Sequence, residues 1–291
     1  MTNGVYIGLA DMRQGMRVMK PIKDKRTGIL LLRKGEKLTK EAISNLLSNY
    51  SGIIDTIFVE LHTEEKSGNL LCESKVKSYV NESVKDFKGL DVAIKDICDR
   101  IRTDRVLYNN VTRMREYDQV AKTVGVLSHS ISVAILTYMY LQYTGMLDRY
   151  KEVVDVALLH DIGKVEIPHD ILGKKGKVTD GEFEKIKEHS TIGYYEMVTL
   201  KKSEHLLGIL DHHERINQTG YPSGKGECSI SFAGRLLAVV DTFDAITTKR
   251  IYRVETSKED ALNYIDQKKD ILYDREIVEN FIRMFNDSEL Y

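Results

Sequence analysis

The nine residues 157-ALLHDIGKV-165 indicate most directly how this chain folds. Apolar and small residues lead up to His160 and Asp161, as at the end of a buried helix, and we predict such a helix over residues 151–162. A carboxylate in an apolar core costs free energy unless a charge is paired with it or a cation binds it. Lys164 offers the first solution, so these residues alone leave open whether Asp161 pairs with Lys164 or binds a cation.

Helical periodicity extends in both directions from this stretch. A capping box formed by Thr179 and Glu182 predicts a helix that runs to about Met197. Gly163 is expected to end the central helix, and the glycine-rich residues 214–229 are expected to form a loop. This part of the chain is therefore predicted to be mainly α. Further helices are expected over residues 118–139 and 230–247, and from Ser257 and Asp274.

Residues 1–62 have the pattern of a small β-rich (α+β) module. One helix is expected over residues 38–47, with Thr39 as its N-cap. Residues 63–110 begin as a polar, charged stretch and are interpreted as a linker that continues into helices. The remaining residues, 111–291, form the mainly α domain. Short apolar runs rich in β-branched residues predict the strands of the module, at residues 17–22, 28–32 and 54–60.

Composition excludes several classes of protein. The 43 Lys and Arg balance the 44 Asp and Glu, so the chain has no global basic field for a nucleic acid polymer. It has no run of about 18 apolar residues, as a membrane helix needs, and no signal-peptide pattern at its N-terminus. Three cysteines without a CxxC spacing argue against a disulfide framework and a thiolate zinc site. We expect a cytoplasmic protein.

The histidines are unevenly placed, because seven of the eight fall between His129 and His213. His129 and His189 have apolar residues three or four positions away, so their rings face the core side of their predicted helices. Taken singly, each has an ordinary alternative as a hydrogen-bonded core histidine. Asp241 lies deep in an apolar helix, with Asp244 on the same face, where a lone carboxylate is costly.

Together these inward-facing side chains form a set of metal ligands. Five imidazoles and two carboxylates, with no thiolate, suit iron, manganese or zinc. The set is too large for one ion, and two ions bridged by Asp161 account for the number. Two ions about 3.5 to 4 Å apart are suited to phosphoester hydrolysis, because they activate water and neutralise phosphate oxygens. No phosphate-binding P-loop and no serine or cysteine nucleophile motif competes with this interpretation.

Several short motifs follow one another along the chain. In order, they are His129-Ser130, His160-Asp161-Ile-Gly-Lys164, His189, His212-His213-Glu214, Gly220-Tyr221-Pro222 and Asp241-x-x-Asp244. With these motifs the chain resembles the HD-GYP phosphodiesterases. The match is close over residues 118–255, and both the HD core and the GYP signature are present with family-like spacings. Residues 5–60 are similar, less specifically, to the small module that often precedes this domain.

The resemblance implies a helical-bundle domain with a binuclear metal centre. It implies a metal-dependent phosphodiesterase that hydrolyses cyclic di-GMP to linear pGpG or GMP. The cofactors would be two divalent ions, most often iron or manganese, with zinc, nickel or cobalt as alternatives. Carried over residue by residue, the ligands would be His129, His160, Asp161, His189, His212, His213 and Asp241.

The resemblance also assigns roles around the metals. Asp161 and Lys164 would act in catalysis, with the Lys164 ammonium near the scissile phosphate. Asp244 would orient the attacking water or a ligand histidine. Three further side chains would bind the substrate together with Lys164: Tyr221, Arg250 and Arg253. Without the resemblance, the two arginines fit a solvated helix end, and Gly-Tyr-Pro fits a surface turn.

The chain departs from the family pattern at several positions. Gly125 stands where some members carry an acidic ligand for a third metal, so two metals are expected. Asn217 and Gln218 replace the usual Asp and Gly before the GYP motif, and Ile251 replaces a proline. None of these changes removes a predicted ligand, and we therefore expect catalytic activity.

Two alternatives to cyclic di-GMP hydrolysis remain open. In the first, the chain is a non-catalytic module that binds a cyclic dinucleotide, or binds a diguanylate cyclase through its GYP loop, and reports to a partner. In the second, the chain is an HD hydrolase of another nucleotide, such as cyclic GMP-AMP. A product profile separates these interpretations.

Overall fold

The computed structural model divides the chain into two compact units, Met1–Leu70 and Leu71–Tyr291. Each unit is described by itself. The residues that the structure describes are 4–8, 12, 14, 16–24, 26–50, 56–60, 72–121, 125–174, 176–248 and 256–288.

In its described residues, the first unit contains two small antiparallel sheets and one helix. Strand β1 (Gly4–Gly8) pairs with β4 (Thr56–Glu60), and β2 (Ile22–Lys23) pairs with β3 (Leu30–Leu32). Helix α1 (Lys40–Tyr50) follows Thr39, whose hydroxyl accepts from the Ala42 amide at 3.1 Å, as an N-cap does. The strand predicted at residues 17–22 is wrong in extent, since only Ile22 belongs to β2. Apolar side chains from the strands, the helix and the connecting segments are buried together, including Val18, Leu32, Leu38, Leu46 and Ile57.

The second unit is helical in the described residues, as the sequence predicts. Between its helices lie 3₁₀ turns at Glu82–Val84, Ile162–Glu166, Glu204–Leu206 and Glu227–Ser229. No helix among the described residues is long and apolar enough to cross a membrane. The helices are α2 (Glu73–Lys77), α3 (Leu90–Thr103), α4 (Arg105–Ala121), α5 (Val126–Tyr143), α6 (Leu147–Leu159), α7 (His169–Leu172), α8 (Asp180–Leu200), α9 (Leu207–Asp211), α10 (Phe232–Thr247), α11 (Lys258–Gln267) and α12 (Arg275–Ser288).

Helix α5 lies at the centre of the second unit. It packs against α3, α4, α6 and α10, and its side chains are buried on nearly every side. A helix that is apolar all round is expected in such a position. The first described helices of this unit, α2 and α3, precede residue 111. Residues 72–110, interpreted from the sequence as a linker that continues into helices, lie in the same compact unit as the later helices.

A break separates α4 from α5, where the sequence predicted one helix over residues 118–139. Gly125 has a φ of +59°, a left-handed conformation that glycine adopts without strain. The Asp118 carboxylate accepts from the amides of Val126 at 2.8 Å and Leu127 at 2.9 Å. These contacts satisfy amides that have no partner within α5, so the helix carrying His129 has its own fixed start.

The capping box that the sequence predicted at Thr179 is confirmed, and α8 extends from there to Leu200. Gly163 has a different role from the expected helix stop, because α6 ends at Leu159 and Gly163 lies within the next 3₁₀ turn. A Cβ atom on Gly163 would lie 2.0 Å from the His189 carbonyl oxygen. The glycine therefore lets this turn pack directly on the backbone of α8.

Candidate metal centre

The predicted ligands lie at the ends and inner faces of five helices. His129 is on α5, and His160 caps the C-terminal end of α6, with Asp161 starting the following turn. His189 faces inward from the middle of α8. The remaining residues follow or belong to two further helices: His212 and His213 come after α9, and Asp241 and Asp244 are on α10.

The carboxylate of Asp161 lies between two groups of histidines. Its Oδ2 atom is 3.8 Å from His129 Nε2 and 3.5 Å from His160 Nε2. Its Oδ1 atom is 3.3 Å from His189 Nε2 and 3.9 Å from His212 Nε2. Each oxygen thus faces a different pair of rings, so Asp161 could contribute one oxygen to each group of histidines.

Donor atoms in each group are close enough to share one ion. Within a group, the ligand atoms lie within 4.8 Å of one another. Asp241 Oδ1 adjoins one group, at 2.8 Å from His129 Nε2 and 3.9 Å from His160 Nε2. All seven predicted ligands are therefore brought together. The first group contains His129, His160 and Asp161, and the second contains Asp161, His189, His212 and His213.

Backbone carbonyls orient three of the rings. His160, His189 and His212 each place Nδ1 2.6 to 2.7 Å from the carbonyl oxygen three residues earlier. A neutral imidazole with its proton on Nδ1 presents the lone pair of Nε2. This contact fixes the tautomer in the way that is common for metal-binding histidines.

Two buried acceptors at this site have no hydrogen-bond partner, which tests whether a cation fits. His160 Nε2 and Asp161 Oδ1 are both buried and unpaired. Buried polar atoms normally have a partner. A divalent cation between the groups would satisfy both atoms, and the nitrogen and oxygen donors suit such an ion.

Burial sets the charge of the histidines. It lowers the pKa of His160, and it lowers that of His189 to about 4, with the Lys164 ammonium adding to the effect. Burial together with neighbouring imidazoles also holds the pKa values of His212 and His213 well below the usual range. These rings are neutral at neutral pH, as metal ligands must be.

The carboxylates of the site are ionised. Burial alone would raise the pKa of Asp161, but Lys164 and the surrounding imidazoles hold it well below its usual range. His129 has the same effect on the pKa of Asp241, again against the effect of burial. Neutral rings and ionised carboxylates give the centre a net affinity for cations.

His129 differs from the other rings, because it lies between two carboxylates. Its Nδ1 is 2.6 Å from Asp244 Oδ2 and its Nε2 is 2.8 Å from Asp241 Oδ1. Burial opposes the charged ring, yet the two carboxylates raise the pKa of His129 to about 9. Binding of a cation at Nε2 would replace the proton shared with Asp241.

Lys164 forms the ion pair that the sequence left open. Its Nζ atom lies 2.5 Å from Asp161 Oδ2. The lysine side chain keeps 21% of its surface exposed, whereas that of Asp161 keeps 1%. The ammonium therefore reaches the centre from the solvent side, where a substrate would approach.

The GYP loop covers the second group. The Tyr221 ring stacks on His213 with centroids 4.6 Å apart and an angle of 27° between the planes. The Tyr221 amide donates to the His213 carbonyl at 3.2 Å. Burial raises the pKa of the Tyr221 hydroxyl above its ordinary value. Tyr221 thus belongs to the wall of the centre.

Two buried acidic residues anchor this loop, and no role was predicted for either of them. Glu214 accepts from the amides of Ser223 at 2.7 Å and Lys225 at 2.9 Å. Asp211 accepts from the Lys225 ammonium at 2.7 Å and the Ser231 amide at 2.9 Å. Asp211 and Glu214 directly flank the histidine pair, and this position was the sequence feature that could have identified them as part of the site.

The structure does not describe the positions of all predicted substrate-binding residues. Arg250 and Arg253 lie outside the described residues. Asp244 has a fully buried side chain that contacts His129. It therefore lies behind the ligand ring, away from solvent.

Comparison with known proteins defines the class to which this fold and site belong. The HD domain family matches residues 121–277, more than half of the chain. The chain therefore belongs to the HD domain family.

Curated relatives confirm the resemblance to HD-GYP phosphodiesterases. A cyclic di-GMP phosphodiesterase of Thermotoga maritima is 37% identical over 160 residues, 54% of this chain and 44% of that protein. A 3′3′-cGAMP-specific phosphodiesterase of Vibrio cholerae is 33% identical over 145 residues, 49% of this chain and 34% of that protein. The chain thus spans less than half the length of these relatives.

A solved structure shows a similar fold. Bd1817, an HDG"Y"P protein from Bdellovibrio bacteriovorus, matches with a TM-score of 0.50 and 15% sequence identity, covering 97% of this chain and 99% of that one. At this identity the likeness concerns the fold alone.

Proposed function

We propose that this chain is a metal-dependent phosphodiesterase that hydrolyses cyclic di-GMP to linear pGpG or GMP. The observation that carries the proposal is the position of Asp161, with one carboxylate oxygen facing each group of histidines. The relative from Thermotoga maritima, named as a cyclic di-GMP phosphodiesterase, supports the substrate.

The proposed ligands divide into two sets that share Asp161. Two divalent ions bound there would activate water and offset the negative charge of a phosphate. Both ions are proposed to be iron or manganese, because histidine and carboxylate donors without thiolate suit these metals. Zinc, nickel and cobalt are the alternatives. The first set would be His129, His160, Asp161 and Asp241, and the second Asp161, His189, His212 and His213.

Other side chains would act on the substrate directly. Lys164 places a positive charge beside Asp161, where it would offset charge that develops on the phosphate oxygens. Tyr221, stacked on His213, would form part of the wall against which a nucleotide lies. Arg250 and Arg253 stay proposed contacts for phosphate or guanine, for which a guanidinium is suited.

Asp244 would act through a ligand instead of on the substrate. Its Oδ2 atom accepts from His129 Nδ1, so it would hold the imidazole with Nε2 towards the metal. Of the two roles that the sequence allowed for Asp244, its burial favours orientation of the histidine.

The test is hydrolysis by the full chain, purified without oxygen and loaded with Fe(II) or Mn(II). Chromatography of cyclic di-GMP digests should show pGpG or GMP. Asp161→Asn, which has nearly the same shape, should lose both bound metal and product. His205→Gln is the matched control, since His205 packs on Tyr150 and is in neither ligand group. Full activity in a metal-free Asp161→Asn protein would contradict the proposal.

A second substrate is favoured by the relative named as a 3′3′-cGAMP-specific phosphodiesterase. The same digests should therefore include 3′3′-cGAMP at equal concentration. A higher kcat/KM for cyclic di-GMP supports the proposed substrate, and a higher value for 3′3′-cGAMP overturns it in favour of the other dinucleotide.

The GYP loop is also the proposed contact for a diguanylate cyclase. Its side chains Asn217, Gln218 and Thr219 are exposed, so another protein can reach them. Calorimetric titration of the chain with a purified diguanylate cyclase tests this contact. Binding that is lost in Gln218→Ala supports it, and absence of binding contradicts it.

A further inference from the structure

We propose that Asn81, which lies outside the matched HD domain, is a positioning residue for the metal centre. It would hold the Asp244 carboxylate in one orientation, and through it the ring of His129. This inference rests on the proposed metal centre, but it concerns Asn81, for which neither the motifs nor the family match gives a role.

The Asp244 carboxylate is surrounded by donors. Oδ1 accepts from Asn81 Nδ2 at 3.0 Å and from Ser132 Oγ at 2.5 Å. Oδ2 accepts from His129 Nδ1 at 2.6 Å and from Thr248 Oγ1 at 3.2 Å. With three donors besides the histidine, the carboxylate is fixed in direction and so is the ring that it contacts.

The orientation of the Asn81 amide is set by its own neighbours. Its Oδ1 atom accepts from the Ser83 amide at 3.0 Å, as the N-cap of a 3₁₀ turn. Its Nδ2 atom therefore faces Asp244, and it also donates to Thr247 Oγ1 at 2.6 Å. The Thr247 hydroxyl in turn donates to the Phe243 carbonyl, so it can only accept from Asn81. Each group has a compatible partner.

Burial gives these contacts their strength. Asn81 is 7% exposed and Asp244 is 0% exposed, and hydrogen bonds to a charged group are stronger than neutral ones. A cavity of about 420 Å³ is lined by Asn81, His129 and Asp244, among others. Shortening Asn81 would enlarge this cavity and let water replace the fixed donor.

The consequence for the metal centre follows from the geometry of His129. A ring held through Nδ1 presents Nε2 in one direction, here towards Asp241 and Asp161. Loss of a residue that orients a ligand histidine costs about 10- to 100-fold in metal affinity in other metalloproteins. Asn81 would contribute to the centre in the same indirect way.

The test is the metal affinity of the full chain, measured by titration of apo protein with Mn(II), beside its thermal unfolding. Asn81→Ala should weaken binding by about 10- to 100-fold and keep a cooperative unfolding transition. Asn110→Ala is the matched control, because Asn110 is also buried but donates to the Val106 carbonyl and Met197. It should lower the Tm and leave metal affinity unchanged.

A second variant reaches the same carboxylate from another element. Ser132→Ala removes the hydroxyl donor on α5 and should weaken Mn(II) binding in the same direction, even if Asn81→Ala fails to fold. Wild-type affinity in either folded variant, or equal losses in Asn110→Ala, would overturn the positioning role.

Failure of this inference can be separated from failure of the proposed function. A wild-type chain that binds Mn(II) but leaves cyclic di-GMP intact contradicts only the proposed function. The metal affinities of the Asn81 and Ser132 variants still decide the positioning role.

Discussion

The Nε2 atoms of His189 and His212 lie 3.2 Å apart, although each ring donates through Nδ1 to a backbone carbonyl. A neutral imidazole has one proton, so two lone pairs face each other at this distance. Burial lowers the pKa of both rings, which opposes a second proton on either. A cation between them would remove this repulsion.

Removing either ring should therefore cost bound metal. His212→Ala is expected to bind about one ion fewer per chain than wild type in metal analysis by mass spectrometry. Wild type held at a free metal concentration of 100 times the Kd should lose about 2.7 kcal/mol of its free energy of unfolding when a chelator removes the metal. The chelator effect should be smaller in His212→Ala. Equal metal content and equal chelator effects in both proteins would contradict the assignment.

Gly163→Ala should damage the centre through the backbone. Its new Cβ would lie 2.0 Å from the His189 carbonyl oxygen, so α8 or the turn must shift. We expect a loss of stability of about 1–3 kcal/mol, as in other overpacked cores, with weaker metal binding. Thermal unfolding and Mn(II) titration measure these effects.

Gly181→Ala is the control, since Gly181 lies on α8, the helix that Gly163 contacts, and its Cβ would meet nothing within 4 Å. It should be neutral or stabilising, because alanine favours helices. If Gly163→Ala behaved like this control, the close approach would have no importance for the site.

Lys164→Gln should separate catalysis from metal binding. If the ammonium acts on the substrate, kcat should fall by about 10²- to 10³-fold while two ions stay bound. Lys185→Gln, an exposed lysine on α8, should keep wild-type kcat. A Lys164→Gln protein that binds metal differently but keeps its kcat would show that the lysine only neutralises Asp161.

Cys98 should be inert in the folded chain. Burial raises the pKa of its thiol to about 11, so about one molecule in a thousand carries the thiolate at pH 8. Cys72 is partly exposed and Cys228 exposed. We expect Ellman's reagent to modify two thiols in the native protein and a third only after unfolding. Rapid reaction of all three thiols in the native chain would contradict the burial of Cys98 in α3.

The sequence predicted most of what local patterns determine. The capping box at Thr179 and the apolar faces around His129 and His189 depend on residues a few positions apart. The pairing of β1 with β4 was missed, because it joins segments that are far apart in the sequence. The break before α5 was missed because Asp118 caps it from eight residues away.

The residues of the candidate site also divide into those that local sequence patterns predict and those that depend on contacts between distant segments. The side-chain type of these residues already indicates metal binding, so the motifs were enough to select the seven residues that the structure brings together. Asn81 carries no such signal, since its effect depends on a contact with Asp244, 163 positions later in the chain. Gly163 was interpreted as a helix stop because glycine has that role more often than it permits close backbone contact.

Titration of the apo chain with Mn(II), with cyclic di-GMP hydrolysis followed at each step, tests the central claim most directly. A centre built around Asp161 predicts that product formation rises as the second ion binds and reaches its limit at two ions per chain. The same titration of Asp161→Asn should give no product. Hydrolysis at full rate in the metal-free chain, or none with two ions bound, would contradict the account.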